Sequence, residues 1–123
     1  MNNNKVIESL VNAINEKNLF AMDKLFSSDV ILEWPQSGER IVGNDNRREI
    51  YNRFPSLPHI LPNRINGKDS LWILEASLDY GNNDTYQCVF IFEIKNDLII
   101  KEIAYWTKPF PAPEWRKPWT EKI

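Results

Sequence analysis

From Pro62 onward the chain changes to a period of two and holds it almost to the end. Apolar and polar residues alternate through four stretches, 62–67, 70–80, 85–95 and 98–108. Gly67-Lys68-Asp69, Gly81-Asn82-Asn83-Asp84 and Lys95-Asn96-Asp97 separate them. Strict alternation sends successive side chains to opposite faces of a strand. Gly, Asn and Asp clusters tolerate the left-handed backbone that tight hairpins need. The pattern predicts a meander of four long antiparallel strands, which rules out an all-helical fold.

The first half reads differently. Between Lys5 and Lys17, Val6, Ile7, Leu10, Val11 and Ile14 fall at helical spacing, with Asn3 or Asn4 placed to cap the start. A second short helix is expected with Phe20, Met22, Leu25 and Phe26 inward, closed by Ser27-Ser28. Val30 to Trp34 reads as a strand, Pro35 to Gly38 as its turn, and Glu39 to Val42 as a short return strand. Gly43-Asn44-Asp45 opens a third helix to about Phe54, which Pro55 and Pro58 stop. Helices first and a strand meander second is an α+β order, not βαβ alternation.

At 123 residues the chain is expected to be a single domain, 1–123, long enough to bury a core without disulfides or metals. Its net charge of −2 and lack of basic runs leave no electrostatic footprint for nucleic acid or an anionic membrane. No apolar run is long enough to span a bilayer, and Met1 to Lys5 contains no apolar signal core, so a cytoplasmic protein is expected. One Cys, Cys88, permits no internal disulfide; one His and no carboxylate cluster give no metal-ligand set. No cofactor motif is present. Residues 109–123 carry four prolines with Phe110, Trp115 and Trp119. They are expected to form an ordered arm lying on the domain surface, because two loose Trp would be an apolar liability.

Three stretches carry a resemblance. Phe26-Ser-Ser-Asp-Val-Ile-Leu-Glu-Trp-Pro35, Gly43-Asn-Asp-Asn-Arg-Arg-Glu-Ile50 and Ile94-Lys-Asn-Asp-Leu-Ile-Ile-Lys-Glu-Ile-Ala-Tyr-Trp106 are similar to the first strand, third helix and last hairpin of the SnoaL-like branch of the nuclear-transport-factor-2-like (NTF2-like) superfamily. The order of elements over roughly 5–108 is that of the family. The resemblance implies a cystatin-like cone: three N-terminal helices packed in a strongly curved, mostly antiparallel sheet, with an internal pocket at the wide end. That fold hosts ketosteroid isomerase, polyketide cyclases, dehydratases and epoxide hydrolases as well as non-catalytic binding modules, so it does not by itself name a reaction.

Alternation gives the faces. Trp72, Leu74, Ala76, Leu78 and Tyr80 share one; so do Tyr86, Cys88, Phe90 and Phe92; so do Ile100, Glu102, Ala104 and Trp106. The resemblance turns these faces inward. The implied ligand pocket is walled by Trp34, Tyr51, Trp72, Leu74, Tyr86, Phe90 and Trp106 and contains one strand-borne carboxylate, Glu102. On the opposite face Val89, Ile91, Ile103 and Tyr105 form an apolar stripe, which in this superfamily commonly supports a homodimer; the alternative is cover by the Trp-rich arm.

Ketosteroid isomerase uses a carboxylate base, a Tyr and a protonated Asp. Carried over, these fall on Trp34, on or near Leu10, and on or near Phe90, none of which can move a proton as required. Chemistry by that constellation is excluded. Two candidates remain. Glu102 lies on an apolar face, where desolvation raises a carboxyl pKa toward a useful acid or base, unless it pairs with Arg40 or Arg64. His59, in the Pro55 to Ile60 loop expected near the pocket mouth, titrates near neutrality. Tyr51 and Tyr86 are available as phenol donors, and Cys88 reads as a small core residue. Two functional classes stay open. One is a cofactor-free acid/base enzyme of isomerase, cyclase or dehydratase type, acting on a small hydrophobic carbonyl compound. The other is a non-catalytic module that binds a small apolar molecule or dimerises.

Overall fold

The computed structural model of the protein describes residues 2–123. Helix α1 spans Asn3–Asn15 and α2 Leu19–Asp23; strands β1, Phe26–Trp34, and β2, Glu39–Val42, follow. Helix α3, Asn44–Asn52, precedes β3, His59–Lys68; β4, Leu71–Asp79; β5, Thr85–Lys95; and β6, Leu98–Thr107. A 3-10 helix at Glu114–Trp119 lies in the arm. The strands form one curved six-stranded sheet in the order β2-β1-β6-β5-β4-β3, an open α+β cone with the helices at its N-terminal side. Among the described residues only β1 and β6 pair in parallel.

Helix α1 is amphipathic for the reason the spacing gave. Val6, Ile7, Leu10, Val11, Ala13 and Ile14 are buried together, and the cap is Asn2, whose side chain accepts from the Asn4 N–H at 2.9 Å. The inward strand faces meet that helix. Leu74, Ala76 and Leu78 of β4, Cys88, Phe90 and Phe92 of β5, and Ala104 of β6 are all buried. Asn15 fastens α1 to β3 in both directions: its Oδ1 accepts from the Ile60 N–H at 2.6 Å, and its Nδ2 donates to the Ile60 carbonyl at 2.9 Å.

Several expectations are corrected by the structure. Helix α2 is only five residues long and does not reach Phe26. Phe26 pairs with Ile99, and the Ile99 N–H donates to the Leu25 carbonyl at 2.8 Å, so β1 begins in what was expected to be helix. Phe20 is 72% exposed beneath Lys24, not inward. Strand β3 starts at His59, which pairs with Asp79; as an edge strand it carries Pro62, and its ladder slips just after, between Pro62↔Ala76 and Arg64↔Glu75, leaving Asn63 as the extra residue. In β6 the pairing slips between Glu93↔Lys101 and Ile94↔Ile99, a bulge that leaves Ile100 as the extra residue. Ile99, not Ile100, is therefore the fully buried side chain, while Glu102, Ala104 and Trp106 keep the expected face.

The arm also departs from expectation. It has a 3-10 turn, but Trp115 is 71% and Trp119 80% exposed, so it does not rest its aromatics on its own domain. Among the described residues no helix is long and apolar enough to cross a membrane.

Candidate functional site

The inner surface acquires its chemistry from α3 meeting β6. Asn44, Arg47 and Tyr51 fall at i, i+3 and i+7 on α3 and so share one helix face. That stripe is polar, yet it points into the protein: Asn44 and Arg47 are buried, Arg47 to 1% exposure. Arg47 is satisfied on two sides. Its Nε–H donates to Asn44 Oδ1 at 2.6 Å and its Nη2 to Asp23 Oδ1 at 2.8 Å. The guanidinium lies 4.4 Å from the Phe26 ring centroid and 5.3 Å from that of Tyr51. Arg48 grips the same Asp23 through two hydrogen bonds of 3.0 Å, which with Arg47 hold that carboxyl below its ordinary pKa. The network ties α2 to α3.

Glu102 faces this cluster from β6, where it pairs with Leu32 on one side and Phe92 on the other. It is 3% exposed. Burial pushes its carboxyl up to about 7, against the pull of the Arg47 charge. Burial also drives the Tyr51 phenol far above its ordinary range, with the Glu102 charge adding to the effect, so Tyr51 stays a neutral donor. Tyr80 is pushed up to about 12 by burial, against a hydrogen bond from Trp106.

An apolar cavity lies beside Tyr51 and Tyr80. Its walls include Ile14, Tyr51, Phe54, Tyr80, Phe90 and Trp106, and its volume is about 30 Å³. That is room for a water molecule or two, far below the several hundred Å³ of a typical ligand pocket. A larger molecule does not fit this cavity with its walls as they stand. Trp106 packs edge-on against Trp34 at 5.3 Å and against Phe90 at 6.4 Å. Its backbone N–H donates to Gln36 Oε1, which pins the end of β6 to the β1–β2 turn. Among the described residues the buried Trp34 Nε1–H has no hydrogen-bond partner, a donor left over on the inner surface.

The residues expected at the pocket divide. Tyr51, Phe90 and Trp106 line the cavity, and Trp34 backs it through Trp106. Glu102 is not a lining residue; it reaches the cavity only through its charge, which acts on Tyr51. Tyr86 is not among the cavity's walls; it packs edge-on to Tyr80 at 5.5 Å, with Lys108 over its ring. Leu74 is ordinary core. Trp72 lies at the far end of β4, where its Nε1–H donates to the Asp69 carbonyl at 2.9 Å. Its ring takes the space beside Gly67, where a Cβ would come within 2.6 Å of it. His59 is exposed and lines two surface grooves that contain no Glu102, so the structure does not bring the two proton-transfer candidates together. Cys88 is a buried free thiol, pushed up to about 11 by burial.

The charge opposite Glu102 is not Arg40 or Arg64. Arg40 binds Glu33 at 2.7–2.8 Å and Arg64 binds Glu75, both pairs on the outer face. Arg47 is the buried charge of this cluster that reading the sequence passes over. Its signal was its place on the Asn44-Arg47-Tyr51 stripe, the only α3 face that contains an aromatic ring.

No family model matches the chain, and no curated protein matches it. Solved structures do. An NTF-2 like protein of unknown function from Burkholderia xenovorans LB400 is 32% identical, superposes with a TM-score of 0.89, and is matched over 98% of this chain and 94% of that one. A candidate ketosteroid isomerase from Kribbella flavida DSM 17836 has a TM-score of 0.88 at 18% identity, over 98% and 89% of the two chains. An LEH-like epoxide hydrolase from M. tuberculosis has a TM-score of 0.73 at 18% identity, over 83% and 80%. The last two share the fold with this chain.

Proposed function

The chain belongs to the NTF2-like family, and within it we propose a pocket protein for a small apolar molecule bearing a carbonyl-type acceptor, with Glu102 as its proton-transfer group. The observation that carries this reading is a carboxyl buried to 3% exposure on the inner sheet face, close enough for its charge to act on Tyr51, a wall of the aromatic cavity. A carboxyl with a pKa of about 7 is divided between acid and base forms at neutrality, the condition under which proton transfer in either direction is most effective. Tyr51, neutral and adjacent, and the unpartnered Trp34 N–H are the donors for the ligand oxygen. Of the ketosteroid isomerase positions, which hold Trp34, Phe90 and Leu10, this arrangement uses Trp34 alone, and as an N–H donor instead of a base; it needs no cofactor. His59, at the surface, is the second proton-transfer candidate.

A non-catalytic binding module is the rival reading, favoured by the absence of Glu102 from the cavity's walls. Cyclic and aromatic ketones in D2O separate the two. Binding is read from tryptophan fluorescence, and exchange of the ketone α-protons is read by NMR. Exchange accelerated by the protein and lost in Glu102→Gln, with binding retained, is the expected result. Binding with no accelerated exchange assigns the module, and no binding across the panel rejects the pocket.

The same reading includes a homodimer through the outer sheet face. Register lines up Ile73, Ile91 and Ile103 in one row across three strands, and Glu75, Val89 and Tyr105 in the next. The rim of this patch is charged, with Glu93 opposite Lys101 and Arg64 on Glu75. An apolar centre with a polar rim is the anatomy of a protein interface. A cytoplasmic setting accords with the one free thiol, Cys88.

A further inference from the structure

Charges alternate in sign from the surface to the inner sheet face. Exposed Asp45 accepts from Arg48, Arg48 grips Asp23, and Asp23 accepts from the buried Arg47, whose charge acts in turn on Glu102. Hydrogen bonds fix the middle of this series. Asp23 Oδ1 takes the Arg47 Nη2–H at 2.8 Å, the Arg48 Nε–H at 3.0 Å and an Asn44 Nδ2–H at 3.1 Å. Asn44 closes a ring, because its Oδ1 accepts from Arg47 Nε at 2.6 Å. Arg48 Nη2 holds the second carboxylate oxygen, Oδ2, at 3.0 Å. With Nε and Nη2 both committed, the planar guanidinium of Arg47 is oriented and its charge is held over the Phe26 and Tyr51 rings.

Two acids therefore draw on one buried cation. Asp23 is hydrogen-bonded to it, whereas on Glu102 it acts through its charge. Among the described residues the other groups around Glu102 are uncharged. Tyr51 is its neutral neighbour from α3, Leu32 and Phe92 flank it in the sheet, and α1 buries only apolar side chains. Lys101, the preceding residue of β6, is engaged on the opposite face by Glu33 at 3.6 Å. Arg47 is thus the charge that reaches the carboxyl, and Asp23 the charge that reaches Arg47.

We propose that Asp23 is a positioning residue for Glu102: it orients Arg47 and sets how much of that positive charge reaches the Glu102 carboxyl. The role rests on Glu102 as the proton-transfer group described above. Arg48, by gripping both oxygens of Asp23, limits how far Asp23 offsets Arg47. The two partners consequently have opposite effects. Loss of the negative charge of Asp23 leaves Arg47 less compensated, favours the Glu102 carboxylate and lowers the pH at which it titrates. Loss of the positive charge of Arg48 raises that pH.

Carboxyl-carbon NMR of Glu102 in the full chain, in wild type, Asp23→Asn and Arg48→Gln and without ligand, tests this. Asparagine keeps the shape of aspartate and the Arg48 side chain is 43% exposed, so both variants keep the fold, which circular dichroism verifies. The expected midpoint is about one pH unit below wild type in Asp23→Asn. In Arg48→Gln it is about half a pH unit above, since solvent screens more of that charge. The pH at which ketone exchange is half-maximal moves in the same two directions. A ring that only held packing together would admit water when either partner is lost, and both midpoints would fall toward the free value; that result overturns the proposal. An unchanged midpoint in both variants overturns it as well. Where Asp23→Asn fails to fold, Arg48→Gln decides alone, and a midpoint that does not rise overturns the proposal. Opposite displacements with no ketone exchange in any of the three proteins uphold the hold of Asp23 on the carboxyl and reject only the proton-transfer reading.

Discussion

Replacing Arg47 with methionine is expected to destabilise the protein by about 3–5 kcal/mol at pH 8, the usual result of removing one partner from a buried charge cluster. The magnitude follows from what the side chain does. It occupies a site 1% exposed, donates to Asn44 and Asp23, covers the Phe26 ring and supplies the positive charge facing Glu102. Methionine fills much of the volume but leaves Asn44 Oδ1 without its donor and Glu102 without a counter-charge. Asp23 fares better because Arg48 still holds both its oxygens. The cost therefore depends on pH. At pH 5 Glu102 is protonated and has little need of a cation, so the penalty falls to about 2 kcal/mol, that of an orphaned buried acceptor. Urea unfolding of both proteins at the two pH values checks this. A penalty below about 1 kcal/mol at pH 8 would show that Arg47 is not the charge that organises this cluster.

The second large effect has the opposite sign. Glu102→Gln is expected to make the protein more stable at pH 8. The carboxyl has a folded pKa of about 7 against an ordinary value of 4.5. Between those values the folded state binds more protons than the unfolded one, so stability falls as pH rises through that window and is level above it. A displacement from 4.5 to about 7 amounts to about 3 kcal/mol lost by pH 8. Glutamine resembles the protonated acid in shape and charge, so the variant does not suffer this loss. The two proteins should unfold alike near pH 4.5 and separate by up to about 3 kcal/mol at pH 8. Asp23 and Glu33, held below their ordinary pKa by arginines, tilt stability the other way in more acidic solution, but equally in both proteins. Equal stabilities across the whole range would mean that Glu102 ionises as freely when folded as when unfolded. A side chain that costs stability at neutral pH is more readily explained by function than by packing.

The alternating half of the chain was legible because alternation is a geometric consequence of the strand. Leu74, Leu78, Phe90, Phe92, Glu102 and Trp106 all took their expected faces. Alternation gives a face, however, and not a place along it. Trp72 and Tyr80 share one face of β4 and its extension, but eight residues of strand separate them by about 26 Å, so only Tyr80 reaches the cavity. The bulge at Ile100 was hidden for a related reason: an extra residue leaves no mark in a run as apolar as Leu98-Ile99-Ile100. Arg47 escaped notice because an arginine on a helix is ordinarily a solvated residue, and only the tertiary meeting of α3 with Asp23 and Glu102 makes it an interior one. The end of α2 was lost to competition between local and long-range order. Phe26 suits a helix by spacing, and pairing with Ile99 across the chain overrides that preference.

The central claim is that Glu102 is the proton-transfer group of an aromatic pocket, and its own titration tests that most directly. With the side-chain carboxyl carbon labelled, NMR should follow Glu102 through a midpoint near 7, against about 4.3 for a free glutamate, and the midpoint should move when a small cyclic ketone binds. A midpoint at or below the free value that no ligand displaces would contradict the account, and Glu102 would then be a structural counter-charge to Arg47.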